Sequence, residues 1–313
     1  MKTKYERRHL GLRPAIIIFG LAGFHGEAKA QEIGVLATYP APTFLENLDV
    51  APDGAIYVTN YTGRGVERIK PGEKPARFAN LDAHPVSILV RKDGFLVTAH
   101  GLPFMGGPSF IGTGRLIRLD AKGAVISEKP VPEAGMLNGM TLAPNGAILI
   151  ADSVNGQILS YDTEKNEVAN WFSDPVLAPQ TAPRFLPGAN GLKIRDGVLH
   201  ISSSAQSKLF RLRIAADGAA QGPLEVAVET PGADDFAFLA NGDVIMTTHS
   251  ASVVKLDPAG RLHILTDDPR VQGNTAVAIT GAGKDRKAII LGTGGFSEGG
   301  KADAAVVSVA LPE

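Results

Sequence analysis

The chain has 313 residues, of which 44% are apolar and 20% charged, enough to bury a large core. Lys and Arg total 31 against 32 Asp and Glu, a net charge of −1, so no charge block points to nucleic acid or a membrane surface. Cysteine is absent, which excludes disulfides, thiolate metal sites and a thiol nucleophile. The 36 Gly and 21 Pro suit a fold with many turns.

The N-terminus has the order of an export signal. A basic stretch (1–13) is followed by AIIIFGLAGF (15–24) and then AKA (28–30), small residues ahead of Gln31. Ten apolar residues are too few to span a bilayer. Cleavage after Ala30 and a periplasmic or secreted location are expected, with no membrane attachment of the mature protein.

From there a hairpin unit recurs: an apolar run, a polar-Gly turn and a second apolar run. Five copies are LDVAPDGAIYVTN (48–60), ILVRKDGFLVTAH (88–100), MTLAPNGAILIAD (140–152), LKIRDGVLHISSS (192–204) and FAFLANGDVIMTTH (236–249). A sixth, VAITGAGKDRKAIILGT (277–293), has a longer turn. The turn glycines Gly54, Gly94, Gly146, Gly197 and Gly242 stand 40, 52, 51 and 45 residues apart, the period of a propeller blade. Third and fourth strands follow in five units, but the sixth ends before its fourth. EIGVLATY (32–39) has no unit of its own and fits as that missing strand. The expectation is an all-β fold: a signal segment over 1–30, then a six-bladed β-propeller over 31–313. Each blade has four antiparallel strands, and the N-terminal strand closes the ring in the last blade.

Aligned on the turn glycine, the residues two places before the first apolar run are Glu46, Val86, Asn138, Asn190, Asp234 and Thr275. In a propeller these starts of the innermost strands meet at one mouth of the central channel. Four of the six are oxygen donors, and Glu46 is no turn former. Two carboxylates and two amides make a hard-oxygen set, suited to calcium, which takes about six to eight oxygens. Mg2+ or Mn2+ come next. Zn2+ is the weaker fit because it prefers imidazole or thiolate.

Taken together, FLENLDVAPDGAIYVTN, MLNGMTLAPNG, GANGLKIRDGVLHIS, GADDFAF and GNTAVAI resemble the calcium-dependent six-bladed propellers of the senescence-marker-protein (regucalcin), gluconolactonase and diisopropylfluorophosphatase group. The resemblance runs through nearly all of 32–313. It implies Glu46, Asn138, Asn190 and Asp234 as metal ligands, Asp234 as the catalytic carboxylate, and hydrolysis of a lactone or related ester. The chain departs from the group in Asn47-Leu48 after Glu46, Gly139 after Asn138 and Asp235 after Asp234, all bordering the pocket. The alternative is a non-catalytic binding module with a structural calcium.

Around this site His84, His100, His249, Asp235 and Arg184 are candidate substrate contacts, with His84 first among the histidines. The insert LPFMGGPSFIGTG (102–114) is expected to be a lid over an apolar pocket. The partner is a small-molecule substrate and the protein a monomer.

Overall fold

The computed structural model describes residues 33–179 and 186–311. The export-signal segment and Arg184 lie outside the described residues. Strand β1 (Ile33–Tyr39) precedes the first blade, β2 (Leu45–Val50), β3 (Ile56–Asn60), β4 (Gly65–Ile69) and β5 (Ala76–Asn80). The second blade is β6 (His84–Arg91), β7 (Gly94–His100), β8 (Gly114–Leu119) and β9 (Val125–Pro130). The third is β10 (Leu137–Leu142), β11 (Ile148–Asp152), β12 (Gln157–Asp162) and β13 (Glu167–Ser173). The fourth is β14 (Ala189–Arg195), β15 (Val198–Ser203), β16 (Lys208–Ile214) and β17 (Ala220–Glu229). The fifth is β18 (Phe236–Phe238), β19 (Val244–Met246), β20 (Val253–Leu256) and β21 (Leu262–Thr266). The sixth is β22 (Val277–Thr280), β23 (Lys287–Gly292), β24 (Ala304–Ala310) and β1.

Each blade is an antiparallel sheet whose strands are mostly joined by turns too short for a crossover, the insert between β7 and β8 being the longest such connection. The ring closes as the sequence suggests. β1 pairs antiparallel with β24, from Ile33 opposite Val309 to Tyr39 opposite Ala304, which covers what would be an open edge. Among the described residues there is no α-helix, only short 3-10 turns.

Burial follows distance from the axis. Second strands such as β7 and β11 are buried throughout, while the outermost β9 and β17 are largely exposed. The core is not one central mass but a series of seams between facing blades. Val97 and Ile117 meet Tyr57 and Val66 between blades one and two. Val277 and Ile290 meet Ile245 and Val253 between blades five and six. The β-branched residues of these strands stand off both faces of a twisted sheet, so each blade packs on two neighbours.

Candidate metal and active site

The expected ligands stand at one recurring irregularity. Pairing of β2 with β3 slips between Leu45 and Leu48, so Glu46 and Asn47 together face Thr59. The same slip in β10 sets Asn138 and Gly139 against Ala151, and in β14 sets Asn190 and Gly191 against Ser202. Just before β18, Asp234 N donates to Thr247 O (2.8 Å) and Thr247 N donates to Asp235 O (3.0 Å), again two residues opposite one. A β-bulge re-aims a side chain. Repeated at one level, it turns four oxygen-bearing side chains toward the axis.

Neighbouring blades are stitched at this level. Thr98 Oγ1 donates to Asn138 O (3.2 Å), Ser202 Oγ to Asp234 O (2.6 Å) and Thr247 Oγ1 to Thr275 O (2.8 Å). Blade three has Ala151 at the corresponding place, and there the contact is direct: a Cβ on Gly139 would lie 2.5 Å from Asn190 O. That answers why glycine follows Asn138. Gly191 is likewise hemmed in, by Asp235 Oδ1 at 2.7 Å from where its Cβ would stand.

A second set of bonds orients the two amides. Asn138 Nδ2 donates to Ser153 Oγ (3.2 Å), and Ser153 Oγ donates to Ala189 O (2.5 Å). Asn190 Nδ2 donates to Ser204 Oγ (3.2 Å), and Ser204 Oγ donates to Ala233 O (3.2 Å). In both cases the amide nitrogen is held and the carbonyl oxygen is left for the channel. Asn190 Nδ2 also donates to Asp234 Oδ1. Asp234 Oδ2 takes a second bond, from His249 Nε2 at 2.8 Å.

Glu46, Asn138, Asn190 and Asp234 are all buried. Glu46 Oε2 has no hydrogen-bond partner. Burial, and then the charge of Asp234, hold the Glu46 carboxyl well above its usual range. Glu46 thus has a buried oxygen with nothing to accept from, beside a second carboxylate whose own two oxygens are bonded. Two carboxylates and two amide oxygens fit a hard divalent cation in donor chemistry. No group of three or more His, Cys, Asp or Glu arranged for a metal occurs among the described residues, consistent with half of this set being amides.

His249 reaches Asp234 from a tight bend after β19 and has left-handed backbone, φ 55°. That conformation is uncommon for a side-chain-bearing residue and gathers at functional sites. Asn274 holds it: Thr248 N donates to Asn274 Oδ1 (2.7 Å) and His249 N to Asn274 O (2.9 Å). Burial alone would lower the His249 imidazole. The Asp234, Glu46 and Glu298 carboxylates outweigh it and push it up to about 9.

The remaining candidates separate. His84 lies half-buried at the start of β6, its Nδ1 3.1 Å from Tyr61 O and its ring 5.0 Å from the Tyr61 ring. His100 is fully buried behind the ring of ligands, with Nε2 3.2 Å from Leu137 O, so it braces the strand that carries Asn138. Burial lowers it to about 4, and it is neutral at pH 7. Asp235 points down the channel to Lys193 Nζ (2.7 Å). Further along the inner strands than these four residues lies a cavity of about 390 Å3 whose polar lining includes Asn47, Asp49, Ser87, Lys193 and Asp235.

Sequence reasoning did not single out Ser153, Ser204, Asn274, Lys193 or Tyr61. Asn274 and Lys193 stand inside the GNTAVAI and GANGLKIRDGVLHIS segments, and Ser204 ends the fourth hairpin unit, but residue type and spacing gave none of them a role.

The sequence matches no family model and no curated protein. Solved structures do resemble the fold. A gluconolactonase from Xanthomonas campestris has 16% identity and a TM-score of 0.64, over 90% of this chain and 89% of that one. The calcium-binding protein regucalcin from Agrobacterium tumefaciens has 14% identity and a TM-score of 0.60, over 90% and 95%. Virginiamycin B lyase from Staphylococcus aureus has 15% identity and a TM-score of 0.57, over 90% and 100%. At these identities the likeness defines the chain as a six-bladed β-propeller, and the chemistry has to be argued from the site.

Proposed function

We propose that the protein is a calcium-dependent hydrolase of a lactone or related ester, working at the ring formed by Glu46, Asn138, Asn190 and Asp234. The observation that carries this is the buried, unpartnered Oε2 of Glu46 beside Asp234. A buried Glu46 oxygen with no donor, beside a second carboxylate, is a poor structural device and a good place for a cation. The propellers that the chain resembles include a gluconolactonase and a calcium-binding protein, which support the reading, and a lyase, which shows the fold serving another reaction.

Bound at these four side chains, calcium supplies Lewis-acid polarisation of a carbonyl oxygen. The chain's own residues do the rest. Asp234 is the general base that takes a proton from the attacking water. His249 Nε2, 2.8 Å from Oδ2, holds the carboxylate by a charge-assisted bond and fixes its orientation. Ser153 and Ser204 keep the two amide oxygens turned inward. The substrate is a small molecule entering at the channel mouth, and the protein acts as a monomer. On this reading the work is done in the periplasm or outside the cell, because residues 1–30 carry the order of an export signal.

The test is Asp234→Asn, assayed alongside calcium binding by calorimetry. The variant should still bind calcium and lose turnover; turnover that survives removes Asp234 from the role. The product's mass separates hydrolysis, which adds one water, from a lyase-type elimination, which leaves the mass unchanged.

A further inference from the structure

The mouth above the ring of ligands is divided into two unlike halves. Over blades three to five it is polar: His249 is partly exposed there, in front of the buried and bonded Ser153, Ser204, Thr248 and Asn274. Over blades six, one and two it is aromatic. Phe296 meets Phe44 (ring centroids 5.4 Å), Phe44 meets Tyr61 (5.8 Å), Tyr61 meets Phe104 (4.4 Å) and Phe104 meets Phe110 (6.1 Å). These contacts are edge-to-face or tilted, the arrangements that rings favour.

This wall reaches the ring itself. Val86, the blade-two residue at the ligand level, is buried in the same cluster as Phe44 and Tyr61. Phe104 and Phe110 come from the insert over 102–114, which folds as two 3-10 turns, Phe104–Gly106 and Pro108–Phe110. The insert is fastened at Phe104 N, which donates to Tyr61 Oη (2.6 Å). Phe104 and Phe296 are only half-buried, and Leu102, Met105 and Ile111 of the insert are exposed beside them. Few polar atoms of this side are on offer: Tyr61 Oη accepts from Phe104 N, His84 Nδ1 lies against Tyr61 O, and His100, whose Nδ1 has no partner, is fully buried with the Phe110 ring 5.4 Å from its own.

From this division we propose that the substrate of the hydrolase site carries an aryl ring or alkyl chain, which lies against Phe104 and Phe296, and is not a polyhydroxylated sugar lactone. The proposal rests on the hydrolase reading for its chemistry. Each hydroxyl of a sugar lactone turned to this wall would lose its water and find no replacement partner. A hydrocarbon group there gains by leaving water, while its ester carbonyl faces the polar half.

The test compares dihydrocoumarin with δ-gluconolactone as substrates of the calcium-loaded protein. A readout independent of turnover is calorimetric binding of the lactam matching dihydrocoumarin, 3,4-dihydroquinolin-2-one. Dihydrocoumarin should be preferred by at least ~10-fold in kcat/KM, and Phe104→Ala should remove that preference and weaken the lactam by a similar factor. Phe104→Leu, which keeps an apolar side chain of similar bulk, should restore most of both and guards against a folding defect. If neither lactone is hydrolysed but the lactam binds in a Phe104-dependent way, the hydrolase reading falls and the apolar subsite stands. If δ-gluconolactone is preferred, or the lactam fails to bind or binds Phe104→Ala as it binds the wild type, the apolar subsite is wrong whatever the enzyme does.

Discussion

Glu46→Gln separates a cation site from a structural pair because EDTA and calcium push its effect in opposite directions. Glu46 is 7% exposed and its Oε2 accepts from nothing. A buried acceptor without a partner costs about 1–3 kcal/mol. Glutamine replaces that oxygen with an NH2 group, removes a charge beside Asp234 and can donate to it. In EDTA the variant should therefore be the more stable by about 1–3 kcal/mol, which at roughly 2 °C per kcal/mol for a chain of this size raises the melting temperature by ~2–6 °C. In calcium that advantage shrinks by about 2.3 kcal/mol, and the order reverses wherever the advantage in EDTA is smaller than this. At a concentration 100 times its dissociation constant, calcium stabilises the wild type by about 2.7 kcal/mol, or ~5 °C. Loss of one charged ligand on the order of 100-fold in affinity brings that same concentration near the variant's own dissociation constant, where the gain is only ~0.4 kcal/mol. Differential scanning calorimetry in EDTA and in calcium reads both numbers. A Gln variant that is destabilised in EDTA and keeps the full calcium shift would refute the reasoning, since Glu46 would then be an ordinary buried pairing partner.

Further predictions follow the same geometry. Gly139→Ala puts a Cβ 2.5 Å from Asn190 O and 3.0 Å from Gly191 Cα, both backbone, so blades three and four must part; a loss of about 1–3 kcal/mol together with weaker calcium binding is expected, and an unchanged melting curve would contradict it. Ser204→Ala frees the Asn190 amide and should weaken calcium by ~10-fold with little change of stability in EDTA, as read by calorimetric titration. His200 sits against Phe238 at 4.8 Å, and burial, with Arg211 and Arg195, lowers it to about 4 from an ordinary 6.5. The unfolded chain then binds the extra proton first, so stability is full above pH 6.5 and is lost as pH falls toward 4, by ~1–2 kcal/mol once its partial exposure is allowed for. His200→Leu should reduce the fall in urea midpoint between pH 7 and 4.5 without abolishing it, since His100, also lowered to about 4, keeps its own share; an identical pH profile would exclude His200 as a cause.

Much of the architecture was legible because propeller repeats write themselves into spacing. The turn glycines set the blades, and an unpartnered 32–39 foretold the closing strand that pairs with β24. The common level of Glu46, Asn138, Asn190 and Asp234 was legible for the same reason: equal phase in equal blades puts each at the same bulge of its inner strand. The supporting bonds were not. Ser153, Ser204, Thr98 and Ser202 act on carbonyls of the next blade, so their partners lie up to 40 residues away and depend on the path of the backbone rather than on residue type. Serine and threonine are also too common for spacing to single them out. Asp235 shows a different limit. Adjacent to Asp234, it is turned down the channel by the bulge and pairs with Lys193, which no linear pattern announces. The bend that brings His249 to Asp234 is equally local, a left-handed residue held by Asn274.

The most direct test of the central claim is the calcium dependence of turnover. Lactones and aryl esters are offered to the purified protein in a pH-stat, first in EDTA and then with calcium restored. The account predicts no turnover in EDTA and full recovery with calcium, in parallel with the thermal shift that Glu46 controls. Turnover unaffected by EDTA would contradict a metal at the ring, and a calcium-induced thermal shift with no turnover of any ester would make the protein a binding module with a structural cation.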